Sequence, residues 1–324
     1  MEEPAANRHS VHKDQKTHLR FRNPHRGHTL ALLTMTVPGL MALLVFNYLP
    51  MVGAVIAFKN YNAADGIFGS PWAGLKNFEF LFNSGAAWRI TFNTLFLNAL
   101  FIVTTLVLAL FLALLINHLR GRGLYLARFY QSALFFPFFI SYVIVGYFTF
   151  ALFNGDTGLI NNTLNRIGVS GVDWYASPQW WPLILVLVNL WKNVGFSTLI
   201  YLSGMLGINR EYYEAASLEG ATPWQQIRFV TLPLLAPLIT INILLQIGRI
   251  FFADFGLFYN VTRDSALLYP TTDVIDTYVF RALRTLGDFG MSSAAGLYQS
   301  VVGFALVLIA NWIVRRRDPE RSLF

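Results

Sequence analysis

Six long apolar runs dominate this sequence of 324 residues. Each is long enough to cross the hydrocarbon layer of a membrane, roughly 30 Å thick, which takes about 20 residues of helix. Their approximate limits are 30–57, 92–116, 131–153, 182–206, 236–258 and 294–314. The runs lack the alternation of barrel strands, and only 13% of the residues are charged, against about 25% in soluble domains. The sequence therefore predicts an all-α, polytopic membrane helical bundle with about six transmembrane helices.

Basic residues are distributed unevenly among the segments that separate these runs. The net charge is +7, and membrane proteins concentrate Lys and Arg on the cytoplasmic side. If both termini lie on that side, the cytoplasmic segments hold fifteen basic residues and the outer loops hold seven. We therefore predict that both termini are cytoplasmic. The charge is then explained by membrane orientation, and no binding of nucleic acid is expected.

The same pattern divides the chain into a basic cytoplasmic tail at 1–29, a transmembrane domain at 30–314 with a cytoplasmic loop at 207–235, and a basic C-terminal segment at 315–324. The first run is too long for a signal peptide and lacks a small-residue cleavage site, so we expect it to remain as a span. The spacing of the tail histidines fits no defined metal site, and none is predicted; these histidines are His9, His12, His18, His25 and His28. The absence of cysteine excludes disulfides, thiolate metal ligands and cysteine nucleophiles.

One segment, EYYEAASLEGATPWQQIRFVTLPLLAP at residues 211–237, interrupts the apolar pattern. A first helix can end at Gly220, and Thr222 can cap a second helix that has Pro223 at its first position. Pro233 is expected to limit that second helix. We therefore predict a cytoplasmic helix–turn–helix, which is either a docking element or a helical loop that lies on the membrane.

The spacing within this segment resembles the EAA loop of ATP-binding-cassette (ABC) importer permeases. That loop reads Glu-Ala-Ala, three residues, Gly, nine residues and Ile-x-Leu-Pro. The matching residues are Glu214, Ala215, Ala216, Gly220, Val230, Leu232 and Pro233, with Val230 in place of the usual isoleucine. Four further stretches, NYLPMVGAVIAFKNY, WAGLKNF, NTL and WKNVGFSTLIYL, resemble the polysaccharide-type branch of carbohydrate importer permeases, including alginate importers. The resemblance covers most of the chain.

This resemblance implies a permease subunit in the bacterial cytoplasmic (inner) membrane. The implied partners are a second homologous permease, a dimer of ABC ATPase subunits, an extracytoplasmic solute-binding protein, the oligosaccharide that it delivers, and membrane lipid. The EAA helices would couple the permease to the ATPases. The chain has no Gly-Lys dipeptide and hence no G-x-x-x-x-G-K-[ST] phosphate loop. We therefore expect no enzyme activity and no cofactor in this chain, with ATP and Mg bound by the partner subunits.

Polar side chains inside the predicted spans are candidates for a substrate pathway, because charge there normally faces a protein interior or a water-filled cavity. The candidates are Lys192, Asn193, Asn242, Gln246 and Arg249. On a helix that advances about 100° per residue, the last three share a face and Asp254 points away, so no local Arg249–Asp254 pair is predicted. An unpaired guanidinium would favour an acidic oligosaccharide. The alternatives are that Arg249 pairs with the second permease and that Lys192 belongs to a W-K-x-x-G pattern unrelated to substrate charge.

Two other function classes fit part of the pattern. An ion-coupled secondary transporter would use charges inside the membrane, but it does not explain the EAA spacing. A membrane-embedded glycan enzyme would need a catalytic motif, and neither H-E-x-x-H nor G-x-S-x-G occurs. The favoured prediction is therefore ATP-driven translocation of an oligo- or polysaccharide of acidic character.

Overall fold

The computed structural model describes residues 25–79, 85–121 and 123–317. The α-helices are α1 His25–Leu43, α2 Gly66–Gly69, α3 Gly85–Arg120, α4 Leu124–Phe135, α5 Tyr142–Phe153, α6 Leu159–Arg166, α7 Trp181–Leu206, α8 Arg210–Leu218, α9 Pro223–Gln226, α10 Leu232–Ile247, α11 Tyr269–Thr272, α12 Ile275–Arg281 and α13 Phe289–Arg317. Four segments are π-helical: Leu44–Tyr48, Ile227–Thr231, Leu257–Val261 and Ala282–Leu286. The 3-10 helices are Leu49–Phe58, Lys76–Phe78, Phe136–Phe139, Trp174–Ala176, Pro178–Trp180 and Ala266–Leu268. Within these ranges no strand forms, and one isolated bridge joins Lys59 to Trp72.

The chain divides into two compact units, 1–52 and 53–324. The described part of the first unit is helical from α1 onward. The described residues do not include the part of the basic tail before residue 25 or the segment after residue 317. The prediction that the tail histidines bind no metal therefore falls outside them. The side chains of residues 25–31 lie outside them as well.

Five described helical stretches are long and apolar enough to cross a membrane: Leu32–Phe58, Gly85–Arg120, Pro178–Leu206, Pro223–Ile247 and Phe289–Arg316. A bent pair, Leu124–Phe139 and Tyr142–Phe153, whose halves meet at 99°, counts as a sixth when its two halves are taken as one span. The predicted all-α polytopic fold with about six transmembrane helices is confirmed. The cytoplasmic placement of both termini stays a prediction.

The most extensive helix contact joins α3 to α7. Helix α3 buries one face that carries small residues such as Ala109 and Ala113, so the backbones can approach closely. On α7 the facing side chains include Val194, Tyr201 and Met205, which are buried in the same cluster. Tyr201 is therefore a packing residue. This helix pair forms the rigid base on which the polar side chains of α7 are fixed.

The third span differs from the predicted continuous helix at 131–153. Its helix ends at Phe135, a 3-10 turn with Pro137 follows, and Ser141 is extended before α5 begins. Proline has no amide N–H and its ring collides with the carbonyl four residues earlier, so it breaks a helix interior. The apolar composition of the run hid this break, because hydropathy does not report backbone continuity.

The fifth span also differs from its predicted limits of 236–258. It begins at Pro223 and ends at Ile247, so the prediction that Pro233 limits the second helix of the 211–237 segment is wrong. The π-helical turn Ile227–Thr231 precedes Pro233, which lies in the first turn of α10. The span therefore runs through Pro233 without ending, and the π-helical turn before it accommodates the missing amide N–H.

Residues 253–288, which follow the fifth span, pack against the start of α3 through a buried ionic network. Arg281 pairs with Asp264 at 2.9 Å and also with Asp273, and Asp273 accepts a further bond from Arg89 at 3.3 Å. Burial acts to lower the pKa of Arg281, but the hydrogen bond and charge of Asp273 outweigh it, and the pKa is raised. For the carboxyl group of Asp276 in the same segment, burial has the opposite effect and raises the pKa. The network fixes this segment to the outer end of α3 on the predicted orientation.

Candidate functional site

The segment after α7 is a helix–turn–helix whose first helix, α8, has well-formed caps. The Asn209 side chain accepts the amide N–H of Glu211 at 3.1 Å and caps the helix start. At the other end of the helix Gly220 has φ +79°. The amide N–H of Ala221 donates to the carbonyl oxygen of Ala216 at 2.9 Å, and the amide N–H of Gly220 donates to the carbonyl oxygen of Ser217 at 3.0 Å. These two bonds form a Schellman motif, which satisfies the free carbonyls of the last turn. Gly220 therefore ends the helix as predicted.

The second helix, α9, begins with a capping box. The amide of Thr222 donates to the side-chain oxygen of Gln225 at 2.7 Å, and Thr222 Oγ1 accepts the amide of Gln225 at 3.4 Å. Two side-chain bonds join the helices across the turn: Tyr213 Oη to Thr231 Oγ1 at 3.0 Å, and Gln226 Nε2 to Ser217 Oγ at 2.9 Å. We call residues Asn209–Thr231 the connector. Its two helices are braced by their own contacts.

The connector presents apolar side chains and acidic groups together on its exposed surface. Leu218, at the tip beside the turn, is 90% exposed, and Tyr212, Trp224 and Phe229 are also largely exposed. Glu214 is exposed and forms a helical ion pair with Arg210 at 3.2 Å. A cluster of exposed large apolar side chains is typical of a protein–protein or membrane contact. The sequence prediction named Glu214, Ala215 and Ala216 but missed the apolar groups of this surface.

Lys192 lies near the middle of α7 with 6% of its surface exposed. Its ammonium donates to the carbonyl oxygens of Phe138 at 2.8 Å and Ile140 at 2.5 Å, with that of Pro137 at 3.5 Å. These carbonyls belong to the break in the third span, where regular helix bonds are missing. All three ammonium hydrogens therefore have acceptors in the chain. Its position does not support the predicted role in lining a substrate path, because the charge holds the bent backbone.

Asn193, the next pathway candidate, belongs to a polar cluster around the same break. Its amide donates to Asn189 Oδ1 at 2.8 Å and approaches Tyr142 Oη at 3.4 Å. The ring of Tyr142 also lies against Gly256, where an added Cβ would be 2.6 Å from a ring carbon. Tyr142 thereby connects the break in the third span to the chain that follows the fifth span. Tyr142 was not among the residues selected from the sequence, because it does not lie close to α7 along the chain.

The remaining pathway candidates lie on or just beyond α10. Gln246 Nε2 donates to Asn242 Oδ1 at 3.2 Å, so these two share a helix face as predicted. Arg249 does not extend that face, because α10 ends at Ile247 and the chain turns there. The exposed Arg249 instead lines an open cleft of about 450 Å³ with Phe252, Ala253 and Asp254. No ion pair joins Arg249 to Asp254 in the described part of the chain.

Comparison with protein families identifies the chain. The family described as "Binding-protein-dependent transport system inner membrane component" matches residues 105–319. The protein belongs to this family and is a multi-pass permease subunit of the inner membrane. The predicted permease function and location are thereby confirmed, and the ion-coupled and enzymatic alternatives are not supported.

Two relatives from Bacillus subtilis (strain 168) are similar over nearly the whole chain. The protein LplB is 34% identical over 289 residues, which cover 89% of this chain and 90% of LplB. The polygalacturonan/rhamnogalacturonan transport system permease protein YteP is 34% identical over 292 residues, which cover 89% of each chain. The trehalose/maltose transport system permease protein MalF of Thermococcus litoralis is 28% identical and covers 90% of this chain and 92% of its own length.

The fold is also similar to solved structures. A chain of a bacterial ABC transporter involved in the import of the acidic polysaccharide alginate superposes with a TM-score of 0.81 at 32% identity, covering 90% of this chain and 97% of the other. A structure of the bacterial alginate ABC transporter in complex with a periplasmic protein bound to an alginate pentasaccharide gives 0.80 at 32% identity, covering 90% and 96%. The resemblance stated from the sequence is confirmed at the level of the family and its sugar-transporting members.

Proposed function

We propose that this chain translocates an acidic oligo- or polysaccharide delivered by a solute-binding protein, in an assembly with a second permease and two ATPase subunits. The substrate class is supported by the relatives that act on polysaccharides: polygalacturonan and alginate both consist of sugars that carry carboxylates. In this proposal ATP and Mg are bound by the ATPases, and this chain contributes no ATPase site. Sugar crosses the membrane between the two permeases as they alternate between outward and inward access.

The observation that carries this proposal is the connector: a braced helix–turn–helix with an exposed apolar tip and exposed carboxylates. The side-chain bonds Tyr213–Thr231 and Gln226–Ser217 fix the helices to each other, so a force on the tip moves the connector as one body. Its second helix continues into α10 through Ile227–Thr231. In our proposal an ATPase subunit grips the tip around Leu218 and Glu214, and its closure is transmitted to the fifth span.

The coupling role is tested by ATP hydrolysis of the co-purified assembly reconstituted in lipid, with binding protein loaded by acidic or neutral oligosaccharide. Glu214→Lys reverses a charge on the proposed contact, and Gly220→Pro cannot adopt φ +79°. We expect both variants to assemble and to lose sugar-stimulated hydrolysis. Arg210→Gln is the matched control, because it removes the Arg210–Glu214 ion pair but leaves the Glu214 carboxylate in place. Full stimulation in both test variants would make the connector a passive loop.

For the substrate path, we propose that Arg249 contacts a sugar carboxylate. Its guanidinium is exposed in the cleft beside Phe252, and it has no carboxylate partner in the described residues. Asn193, Asn242 and Gln246 contribute polar groups to the same pathway. Arg249→Gln should raise the KM for acidic oligosaccharide and leave basal ATP hydrolysis unchanged. An unchanged KM would remove Arg249 from the path, and stimulation by neutral sugar alone would refute the acidic substrate class.

A further inference from the structure

A second charged cleft, separate from that of Arg249, lies between α5 and the π-helical segment Leu257–Val261. Its volume is about 200 Å³, and it is lined by Val143, Gly146, Tyr147, Tyr259, Asn260, Arg263 and Asp264. Gly146 permits the close approach that forms its floor, because a Cβ there would lie 2.5 Å from the carbonyl oxygen of Asn260. The volume is below the range of about 300–1,000 Å³ for drug-sized ligands, and it suits a single ring.

The backbone at one edge of this cleft is held in a conformation that non-glycine residues rarely adopt. Arg263 has φ +57° and Asp264 has φ +48°. Each such residue costs about 1–3 kcal/mol and persists only where its surroundings fix it. The fixing contacts are visible: the Asp264 carboxylate accepts from Arg281 at 2.9 Å and from the hydroxyl of Tyr269 at 3.1 Å. The buried ionic network thus holds Arg263 in place at the cleft.

The guanidinium of Arg263 is exposed and lies over the ring of Phe150, 4.1 Å from its centroid. Stacking fixes the plane of the guanidinium while its N–H groups stay available along the edge. Among the described residues Arg263 has no carboxylate partner, since the adjacent Asp264 is bound to Arg281. A fixed, unpaired guanidinium is suited to two parallel hydrogen bonds with a carboxylate.

The opposite face of α5 shows that this cleft differs from a lipid-facing one. That face lines an apolar cleft of about 570 Å³, whose lining includes Phe148, Leu152, Leu187 and Trp191 but no charged residue. Exposed charges such as Arg263 are costly against hydrocarbon and normally face water or protein. Helix α5 therefore separates an apolar surface from a polar one, and the Arg263 cleft belongs to the polar side.

We propose that the Arg263 cleft binds one carboxylate-bearing sugar unit of the substrate, as a second subsite; this inference rests on the acidic substrate class proposed above. The guanidinium of Arg263 holds the carboxylate, and the rings of Tyr147 and Tyr259 border the sugar ring. The amide of Asn260 donates to the carbonyl of Gly256 at 3.0 Å, which leaves its side-chain oxygen to accept a sugar hydroxyl. On the predicted orientation the cleft lies in the outer half of the membrane, where the chain of sugars enters.

The first test measures sugar-stimulated ATP hydrolysis of the whole reconstituted assembly for Arg263→Gln, with Arg284→Gln as the matched control. Arg284 is also exposed and lies over a ring, that of Phe280, but it does not line the cleft. We expect Arg263→Gln to raise the KM for oligogalacturonate or oligoalginate about tenfold, the effect of losing a charge-assisted bond. The KM for the same oligomers with reduced carboxyls should not change.

An unchanged KM in Arg263→Gln, or an equal rise in Arg284→Gln, would overturn the subsite while the acidic substrate class stands. Failure of acidic oligomers to stimulate the unmodified assembly would overturn both. Stimulation of the unmodified assembly by acidic oligomers distinguishes the two outcomes, because it is present in the first and absent in the second. Arg263→Lys keeps the charge without the planar fork, and it should restore part of the affinity.

The second test uses the absence of cysteine from this chain. Val143→Cys introduces a thiol in the Arg263 cleft, and Phe148→Cys introduces one in the apolar cleft; both side chains are 53% exposed. We expect a water-soluble maleimide to label Val143→Cys, and binding protein loaded with acidic oligomer to slow that labelling. Equal labelling of both positions would overturn the assignment. Protection by phosphatidylglycerol vesicles without sugar, and not by phosphatidylcholine vesicles, would identify a lipid headgroup site and also overturn it.

Discussion

The connector and the polar cluster at the helix breaks are built in opposite ways. The connector is closed by bonds between residues two to eighteen positions apart, such as Glu211 to Asn209 and Tyr213 to Thr231. The cluster joins residues that are far apart along the chain: the bonds from Lys192 reach back more than fifty positions. The first region can be read from its own sequence, whereas the second exists only after the helices have packed.

This difference determines what a substitution should do in each region. A change in the connector affects an exposed, locally braced element, so it should alter coupling more than folding. A change in the cluster removes a contact that holds a broken helix inside the membrane, so it should alter folding first. The substitutions below test this contrast, from the largest expected effect to the smallest.

The largest effect is expected where α7 meets the end of α4. A Cβ at Gly195 would lie 1.9 Å from the carbonyl oxygen of Leu134, and backbone on both sides leaves little room to adjust. Gly195→Ala should destabilise the permease by about 3 kcal/mol. Size-exclusion profiles and thermal unfolding of the purified assembly provide the measurement. Gly296→Ala is the control, because a Cβ there has nothing within 4 Å, and wild-type behaviour of both variants would contradict the packing argument.

The second effect concerns the ammonium at the break in the third span. Lys192→Met keeps the length of the side chain but leaves the carbonyls of Phe138 and Ile140 without their donor. We expect a loss of about 2 kcal/mol in the free energy of unfolding, seen as a lower thermal midpoint. Lys59→Met is the comparison: Lys59 is also buried, but its ammonium donates to one carbonyl, that of Phe68 at 2.8 Å. A smaller loss at position 192 than at position 59 would refute the role of Lys192 as the group that holds the break.

A smaller effect is expected in the turn of the connector. Gly220 has φ +79°, and no atom lies within 4 Å of an added Cβ. A substitution there therefore strains the backbone conformation without causing a steric clash. Gly220→Ala should cost about 1 kcal/mol, confined to the connector, and should reduce sugar-stimulated ATP hydrolysis. Gly220→Asn should retain more activity, because asparagine adopts the left-handed region more readily. If the two variants behaved alike, φ at this position would not be the deciding property.

The smallest effect is expected from the exposed ion pair on α8. Arg210 and Glu214 are 3.2 Å apart with most of both side chains in solvent. Such pairs contribute about 0.3–0.5 kcal/mol and are screened by salt. Arg210→Gln should therefore leave the thermal midpoint unchanged at 0.5 M salt, and a clear shift there would show that the pair has a further partner.

The connector could be predicted almost completely from its sequence. Thr222, Pro223 and Gln225 specify a helix start through bonds that span three residues, and Gly220 specifies a helix end in the same way. The effect of Pro233 was not predictable from the same local rules. Its missing amide is accommodated by a π-helical turn that merges the second helix with the fifth span. The capping residues predicted the two helices of the connector, but they did not predict that the second helix continues into the fifth span.

The candidate pathway could be predicted only in part. Lys192, Asn193 and Arg249 stood out because charged and polar groups are rare in apolar runs. Their roles differ because Lys192 lies opposite a helix break, whereas Arg249 lies just past a helix end. Hydropathy does not reveal either position. The helical arrangement expected for Arg249 failed because the apolar run continues after the helix has stopped. Tyr142 was missed because its contact with Asn193 arises between distant segments.

The sequence by itself determined the class of this protein, the number of its spans and the caps of its connector. Hydropathy over about 20 residues and hydrogen bonds within one helical turn are short-range properties, and they keep their meaning whatever the rest of the chain does. Only the tertiary structure decided where the third span breaks and where the fifth span ends, that Lys192 binds backbone carbonyls, and that Arg249 and Arg263 open into two separate clefts. A buried charge takes the partners that packing brings to it, and those partners come from segments far apart along the chain.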